Sequence, residues 1–403
     1  MDILIETYHR LLDEVKPLYH RHFYDLFKLD HRMIGIVGGR GVGKTTFLLH
    51  YLRENWAGKE DAIYISADHL FFSETTLLDF VDQFYKEHAA KIICIDEIHK
   101  YSNWGQELKN IYDSYPKLKI IFSGSSSINL IKGRCDLSRR AILNRMAGFS
   151  FREFLECKLR KNFPVIALNN LIDNAFDCSR DISNTPKLLG YFKEYLASGY
   201  YPIFTEFENY NAFKDALIAV VDKTIYEDVS NFYSLKTSNL EALRKLIYFI
   251  ATSSPGEINI NKLAKSLRKD HSTISEYLEM LRESGLLRFL LIDKRGHALI
   301  RNAEKIYLSN TNLAYAICMN LGKDVDIGST RELFVISQLE DAGYDVFYSK
   351  SGDISCDKYV FEIGGKGKGA SQIKGVENAF LVKDDILIGN KNEIPLYMFG
   401  FLK

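Results

Sequence analysis

The sequence predicts an α/β fold built on a parallel sheet, and three observations predict it. Short apolar runs recur at 33–37, 62–66, 91–98 and 118–127, with helical patterns between them. Strands alternating with helices give a parallel sheet covered on both faces. The first run feeds a glycine-rich loop closing on Lys44-Thr45, and the third ends in Asp96-Glu97.

Met33 to Val37 reads as a short buried strand. Gly38-x-x-x-x-Gly43-Lys44-Thr45 follows, and Phe47 to Leu52 reads as a helix. Glycines let backbone N–H groups curl around phosphates, and a helix N-terminus favours negative charge. Gly38, Gly39, Arg40, Gly41, Val42, Gly43 and Thr46 form the cradle, Lys44 reaches the outer phosphates, and the Thr45 hydroxyl ligates Mg²⁺. ATP with Mg²⁺ is therefore the expected cofactor. A glycine-rich turn that binds nothing is the bland alternative. The Lys-Thr pair between a strand and a helix argues against it.

Asp96, at a strand end, is placed to hold the Mg²⁺ shell. Glu97, one residue on, is placed as the base for the attacking water. The fourth run closes in small polar residues, so Ser123 and Ser125 are candidates to bond the γ-phosphate or orient the water. Capping of the next helix accounts for them equally well. Leu137-Ser-Arg139-Arg140 precedes an apolar stretch at 141–147, read as a fifth strand. Residues 1–32 read as a helical arm packed on this core, ended or kinked by Pro17.

At 403 residues the chain exceeds one core, so two or three domains are expected. Its 46% hydrophobic and 26% charged content is that of an ordinary globular protein. Zero net charge excludes a global field drawing it to nucleic acid or membrane and leaves room for a local basic patch. Six scattered cysteines without a C-x-x-C pair predict a reduced cytoplasmic chain with no zinc site. Asp2, Glu6 and His9 interrupt any leader-like apolar core, and no apolar segment is long enough to cross a bilayer.

The loop GGRGVGKTT, the stretch KIICIDEIHKYSNWGQELKNIYD, the turn IFSGSSS and the run DLSRRAILNRMAGFSFREFLE resemble a group of prokaryotic AAA-type ATPases of the AAA+ superfamily. That group joins the ATPase to a C-terminal domain of poorly defined function. The resemblance implies coupling of nucleotide state to DNA or a protein partner, in a homo-oligomer. In AAA-type proteins an arginine just before the fifth strand is often supplied to a neighbouring subunit's nucleotide. Arg139 or Arg140 matches that position, and binding to carboxylates of their own domain is the alternative.

On this reading residues 1–150 are the ATPase domain with its arm. Residues 151–235 are a helical lid, where Phe192 to Leu196 and Gly199-Tyr-Tyr-Pro202 resemble the group's lid with its glycine–proline corner. Residues 236–305 read as a winged helix: helices at 240–250, 258–267 and 270–281, then two strands at 285–292 and 298–300 joined at Lys294-Arg-Gly-His297. Lys265, Arg268 and Lys269 cluster at the recognition helix, capped by Ser272 or Asp270, and Lys294 with Arg295 would sit on the wing. Glu276, Glu279 and Glu283 dilute that charge, so DNA contact and protein packing both stay open.

Residues 306–403 resemble the PD-(D/E)XK nuclease core, with Glu332 on a helix, Asp353 at a turn and Glu362 near Lys366 on a strand. In that core the carboxylates hold Mg²⁺ and the lysine helps position the water. The lysine normally follows the acid by two residues. A step of four moves it roughly 6–7 Å further along the strand, and only a bulge at Gly364-Gly365 would draw it back. A nuclease-like fold that does not cut is the expectation, with Glu332 too remote to help. The leading reading is thus a Mg-dependent ATPase. Its rivals are an ATP-regulated metal-dependent nuclease and a slow ATP-bound switch. A small-molecule kinase would need a lid arginine cluster, and a GTPase a strand ending in Asn-Lys-x-Asp; the sequence has neither.

Overall fold

Uniformly apolar strands must be buried on both faces, and the first sheet obeys this. The structure is a computed structural model that describes residues 1–15, 19–125, 137, 139–292 and 303–403, with Glu257 described by its backbone alone. It divides into two units, Met1–Gly148 and Phe149–Lys403.

The first unit begins with the arm: α1 (Asp2–Glu14), which buries Leu4 and Tyr8, and the short α2 (His22–Leu26). There follow β1 (Met33–Val37), α3 (Lys44–Trp56), β2 (Ala62–Ser66), α4 (Leu77–His88), β3 (Ile92–Asp96), α5 (Trp104–Ser114), β4 (Lys119–Gly124) and β5 (Ile142–Arg145). Every residue of β1 and β3 is buried, whereas edge strand β5 is half exposed. All pairings are parallel, in the order β2-β3-β4-β1-β5. The loop after β1 and the ends of β3 and β4 therefore share one rim, the edge at which open parallel sheets bind ligands. On the arm, Phe23, Tyr24 and Phe27 pack their rings against Phe47 of α3.

The second unit starts with helices, as expected: α6 (Phe151–Leu159), α7 (Leu168–Asp173), α8 (Ala175–Ser183), α9 (Leu188–Glu194), α10 (Tyr210–Lys223) and α11 (Ser230–Tyr233). After α9 the chain widens into a π-helical turn, Tyr195–Gly199. That turn is fastened by Asn312, whose amide donates to the Tyr195 and Leu196 carbonyls and whose oxygen accepts from Tyr200 N–H. Then come α12 (Thr237–Ala251), α13 (Ile260–Leu267), α14 (His271–Glu283), β6 (Leu287–Ile292), β7 (Ala303–Leu308), α15 (Thr311–Asn320) and α16 (Ile327–Asp341). The chain ends with β8 (Val346–Tyr348), β9 (Ile354–Cys356), β10 (Tyr359–Gly364), β11 (Ala379–Lys383), β12 (Glu393–Pro395) and a 3-10 turn at Leu396–Phe401.

These strands form one mixed sheet of seven, β12-β11-β10-β9-β8-β6-β7. Here the expected wing is corrected. The partner of β6 is Ala303–Leu308, while residues 298–300 lie outside the described residues. The other edge of β6 pairs in parallel with β8, so the ribbon is built into the sheet rather than standing free. The physical reason is the run Leu287-Arg-Phe-Leu-Leu-Ile292, which is too apolar for an exposed hairpin. Among the described residues no helix is long and apolar enough to cross a membrane.

Candidate functional site

The phosphate loop joins β1 to α3, and its backbone requires its glycines. Gly41 and Gly43 lie in the left-handed region, at φ 80° and 96°. A Cβ on Gly38 would fall 2.2 Å from the Met146 carbonyl oxygen. Lys44 is buried and its Nζ donates to the Gly38 and Gly39 carbonyls, both at 3.0 Å, so the ammonium sits inside the curl of the loop.

Beside it, Thr45 Oγ1 donates to Asp96 Oδ2 at 2.5 Å, and the Tyr64 hydroxyl donates to the same oxygen at 2.8 Å. Asp96 Oδ1 accepts from Ser123 Oγ and from Glu97 N–H. Burial, and next the charge of Asp96, push the Tyr64 phenol well above its usual range, so it stays a donor. The Thr45 hydroxyl and Asp96 carboxylate thus converge on one point at the C-terminal rim. This is the donor pair that phosphate-loop enzymes use for Mg²⁺, so these residues fit the ion.

Glu97 follows in a left-handed conformation, φ 50°. Its N–H lies 3.2 Å from Ser123 Oγ, and its Oε2 is 3.5 Å from His99 Nε2. His99 Nδ1 in turn accepts from Ser125 N–H at 3.4 Å. Ser123 is fully buried against Asp96, and Ser125 meets His99 through its backbone. Tyr64 and His99 escaped the sequence reading. Tyr64 lies within an ordinary strand, although its strand-mate Ser66 stands opposite Asp96; His99 sits only two residues beyond Glu97.

Of the two arginines, Arg140 is engaged by its own domain, its Nε and Nη2 forking onto Asp113 of α5 at 3.0 and 3.1 Å. Arg139 is exposed. In the second unit Lys265 and Arg268 are exposed, whereas Lys269 Nζ donates to Asn239 Oδ1 at 2.9 Å. Lys294 and Arg295 lie outside the described residues.

The carboxylates of the second unit do meet, which corrects the expectation that Glu332 is remote. Lys305 Nζ, on β7, lies 2.7 Å from Glu332 Oε2 and 3.8 Å from Asp353 Oδ1. Tyr307 donates its hydroxyl to the same Glu332 oxygen. Asp353 Oδ2 accepts from Ile363 N–H at 2.7 Å, which pins the turn to β10. Glu362 is completely buried, and neither of its oxygens has a hydrogen bond of good geometry. Burial pushes its carboxyl above the usual range, with Lys368 opposing and Asp353 and Glu332 adding to the rise.

The lysine facing Glu362 is corrected as well. Lys366 is exposed, and Lys368 makes the ion pair with Glu362 Oε1. The two glycines do not draw Lys366 back with a bulge. The chain turns after β10, Lys368 N–H donating to the Gly365 carbonyl at 2.9 Å. A Cβ on Gly364 would lie 2.7 Å from Lys368 Cγ, so glycine clears the path for the lysine stem. Glu362, Asp353 and Glu332 together hold the Lys368 ammonium above its usual range, against the opposing effect of burial.

Residues 30–155 match a family model described as AAA domain, and residues 189–324 match one described as a domain of unknown function, DUF8612. The first of these matches supports a nucleotide-binding module of the ATPase type, in general terms, over residues 30–155. Two proteins of Methanocaldococcus jannaschii, both named as uncharacterized, are similar over most of their length. MJ1637 is 27% identical over 397 residues, covering 90% of this chain and 81% of its own. MJ1544 is 26% identical over 343 residues, covering 81% and 71%. Among solved structures, AMPPCP-bound DnaA from Aquifex aeolicus aligns with 67% of this chain and 93% of its own, at 18% identity and a TM-score of 0.29.

Proposed function

We propose that this chain binds ATP with Mg²⁺ at Gly38–Thr46 and hydrolyses it. The observation that carries the reading is the convergence of Thr45, Asp96, Glu97 and Ser123 on one rim beside the buried Lys44. Thr45 and Asp96 would hold the ion, which when bound would neutralise charge on the outer phosphates. Lys44 exchanges its two loop carbonyls for phosphate oxygens. Glu97 takes the proton of the attacking water, while Ser123 holds its backbone and His99 lies beside its carboxylate. Arg139, exposed where Arg140 is paired, is the arginine offered to a neighbouring copy in a homo-oligomer. The nucleotide state is coupled to DNA or to a protein partner, with Lys265 and Arg268 as the exposed basic contacts.

The test is ATP turnover at several protein concentrations, with and without DNA. Lys44→Ala loses nucleotide binding. Glu97→Gln keeps binding and loses turnover by about 10²–10⁴-fold, the range for a positioned general base. Unchanged turnover in Glu97→Gln removes it as the base, and equal, very slow turnover in both proteins favours the switch.

A second reading, a metal-dependent nuclease regulated by ATP, gains from a specific observation. The objection to it was the reach of Lys366, and Lys368 stands against Glu362 instead. Glu332, Asp353 and Glu362 would hold the divalent ion there, and Lys368 would position the water. Incubation with supercoiled, linear and single-stranded DNA, with Mg²⁺ or Mn²⁺ and ATP, separates the readings: cleavage lost in Asp353→Ala and Glu362→Ala establishes the second.

A further inference from the structure

The arm ahead of the first sheet carries a cluster that the nucleotide chemistry does not use. His50 and Glu54 lie one turn apart on α3 and share a face, with His50 Nε2 2.8 Å from Glu54 Oε1. His20, just before α2, faces them, its ring 6.0 Å from that of His50. One ligand atom from each of the three lies within 4.8 Å of the others. Asp25 adds a further oxygen, Oδ1, 3.0 Å from His20 Nε2. The Tyr24 ring packs beside both imidazoles, at 4.6 and 5.1 Å between centroids.

Two imidazoles and one or two carboxylates are the donor set of a borderline-soft divalent ion, not of Mg²⁺ or Ca²⁺. Zinc bonds these atoms at about 2.0–2.2 Å, which sets tetrahedral ligands roughly 3.3 Å apart. His50 is held nearly buried on α3, while His20 and Glu54 are about half exposed and can close the difference by side-chain rotation. We propose that His20, His50 and Glu54, with Asp25 as a further donor, bind one Zn²⁺ ion that ties the arm to the helix leaving the phosphate loop.

The consequence reaches the loop through the next residue. Arg21 donates to the Val42 carbonyl at 2.7 Å and to the Ala147 and Gly148 carbonyls at 2.9 and 3.0 Å. The ion would fasten the phosphate loop from two sides, through α3 and through the arm that holds Val42. Among the described residues no cysteine, whose spacing argued against zinc, belongs to the cluster.

The test uses the full chain, stripped with chelator and titrated with Zn²⁺ against a chromophoric chelator in Mg²⁺ buffer without nucleotide. One equivalent binds. His20→Ala and Glu54→Gln, both at exposed positions, each weaken binding at least tenfold, the lower end of what even an outer partner of a metal ligand costs. Cys178→Ser, which removes a half-exposed thiol, changes nothing. Zn²⁺ also slows hydrogen exchange over residues 19–27 in the natural chain but not in His20→Ala. Absence of binding, binding unaltered in His20→Ala and Glu54→Gln, or binding lost in Cys178→Ser each overturns the proposal. None of these readouts depends on ATP turnover, so a chain without ATPase activity would still test it.

Discussion

The proposed nucleotide site of the first unit and the carboxylate cluster of the second use similar materials, lysine, acid and hydroxyl, assembled in opposite ways. In the first, the pieces gather at the C-terminal rim of one parallel sheet and are consecutive: Lys44 with Thr45 at the start of α3, Asp96 with Glu97 at the end of β3. In the second, β7, α16, the turn before β9, β10 and the turn after it supply Lys305, Glu332, Asp353, Glu362 and Lys368 one at a time. A parallel sheet fixes where a motif points as soon as the strand is known. A mixed sheet with turns fixes it only once the turns are known.

The comparison is sharpest at the arginines, where the largest effect is expected. Arg140 is spent on Asp113, so Arg140→Ala should leave turnover within a few-fold. Arg139→Ala should lower it about 10³-fold or more, and activity of the natural chain should rise with concentration, if the exposed arginine serves a neighbour. Steady-state assays over a wide range of protein concentration check both. Equal losses in the two variants would mean that the neighbours of the motif, not its position, set the role.

The second unit is sharpened by comparing two lysines two residues apart. In a Mn²⁺-dependent cleavage assay Lys368→Ala should lose about 10²–10³-fold, the usual effect of removing one group that stabilises developing charge. Lys366→Ala, at an exposed position, should match the natural chain. The reverse order would restore the strand-based reading and remove the turn at Gly365 from the argument.

These sites show why parts of the chain were legible and others were not. Gly43-Lys44-Thr45 and Asp96-Glu97 name their own chemistry, because backbone geometry and side chain are specified by neighbours in sequence. The strands of the first sheet were likewise visible as apolar runs; β1 to β4 are buried almost throughout, and only the edge strand β5 is half exposed. Lys368 was hidden because strand parity counts residues along a line, and the chain turns at Gly365. The second strand of the ribbon was placed at 298–300 instead of Ala303–Leu308 because both stretches carry apolar residues, and only the pairing with β6 separates them. Tyr64 and His99 act through a neighbouring strand and through a tight turn, and neither leaves a spacing signal.

A smaller effect tests the long-range part of the second unit by stability. Asn312 donates to two carbonyls of the π-helical turn and accepts from Tyr200 N–H, all buried. Asn312→Ala removes these three buried hydrogen bonds, and the expected loss is about 1–3 kcal/mol. A lower midpoint in denaturant with unchanged ATP binding would separate the packing of that turn from the nucleotide site. Loss of ATP binding at unchanged stability would instead tie Asn312 to the first unit's chemistry.

The smallest effect falls where the second unit is as local as the first. Asp270 caps α14: its Oδ1 accepts from Ser272 Oγ and Thr273 N–H, both at 2.7 Å, and its Oδ2 from Thr273 Oγ1 at 3.0 Å. The Ser272 hydroxyl, then the Thr273 N–H and hydroxyl, draw its carboxyl down to about 2. The unfolded chain, with a carboxyl near about 3.9, binds more protons than the folded chain between those values. The cap therefore contributes fully above pH ~4 and is lost as pH falls towards ~2. Asparagine caps a helix about as well as aspartate and does not titrate in this range. Asp270→Asn should leave the denaturant midpoint at pH 7 unchanged and flatten its decline between pH ~4 and pH ~2. Parallel pH profiles for the two proteins would mean that the capping bonds persist when Asp270 is protonated, and a lower midpoint at pH 7 would mean that its charge, beyond its hydrogen bonds, holds the start of α14.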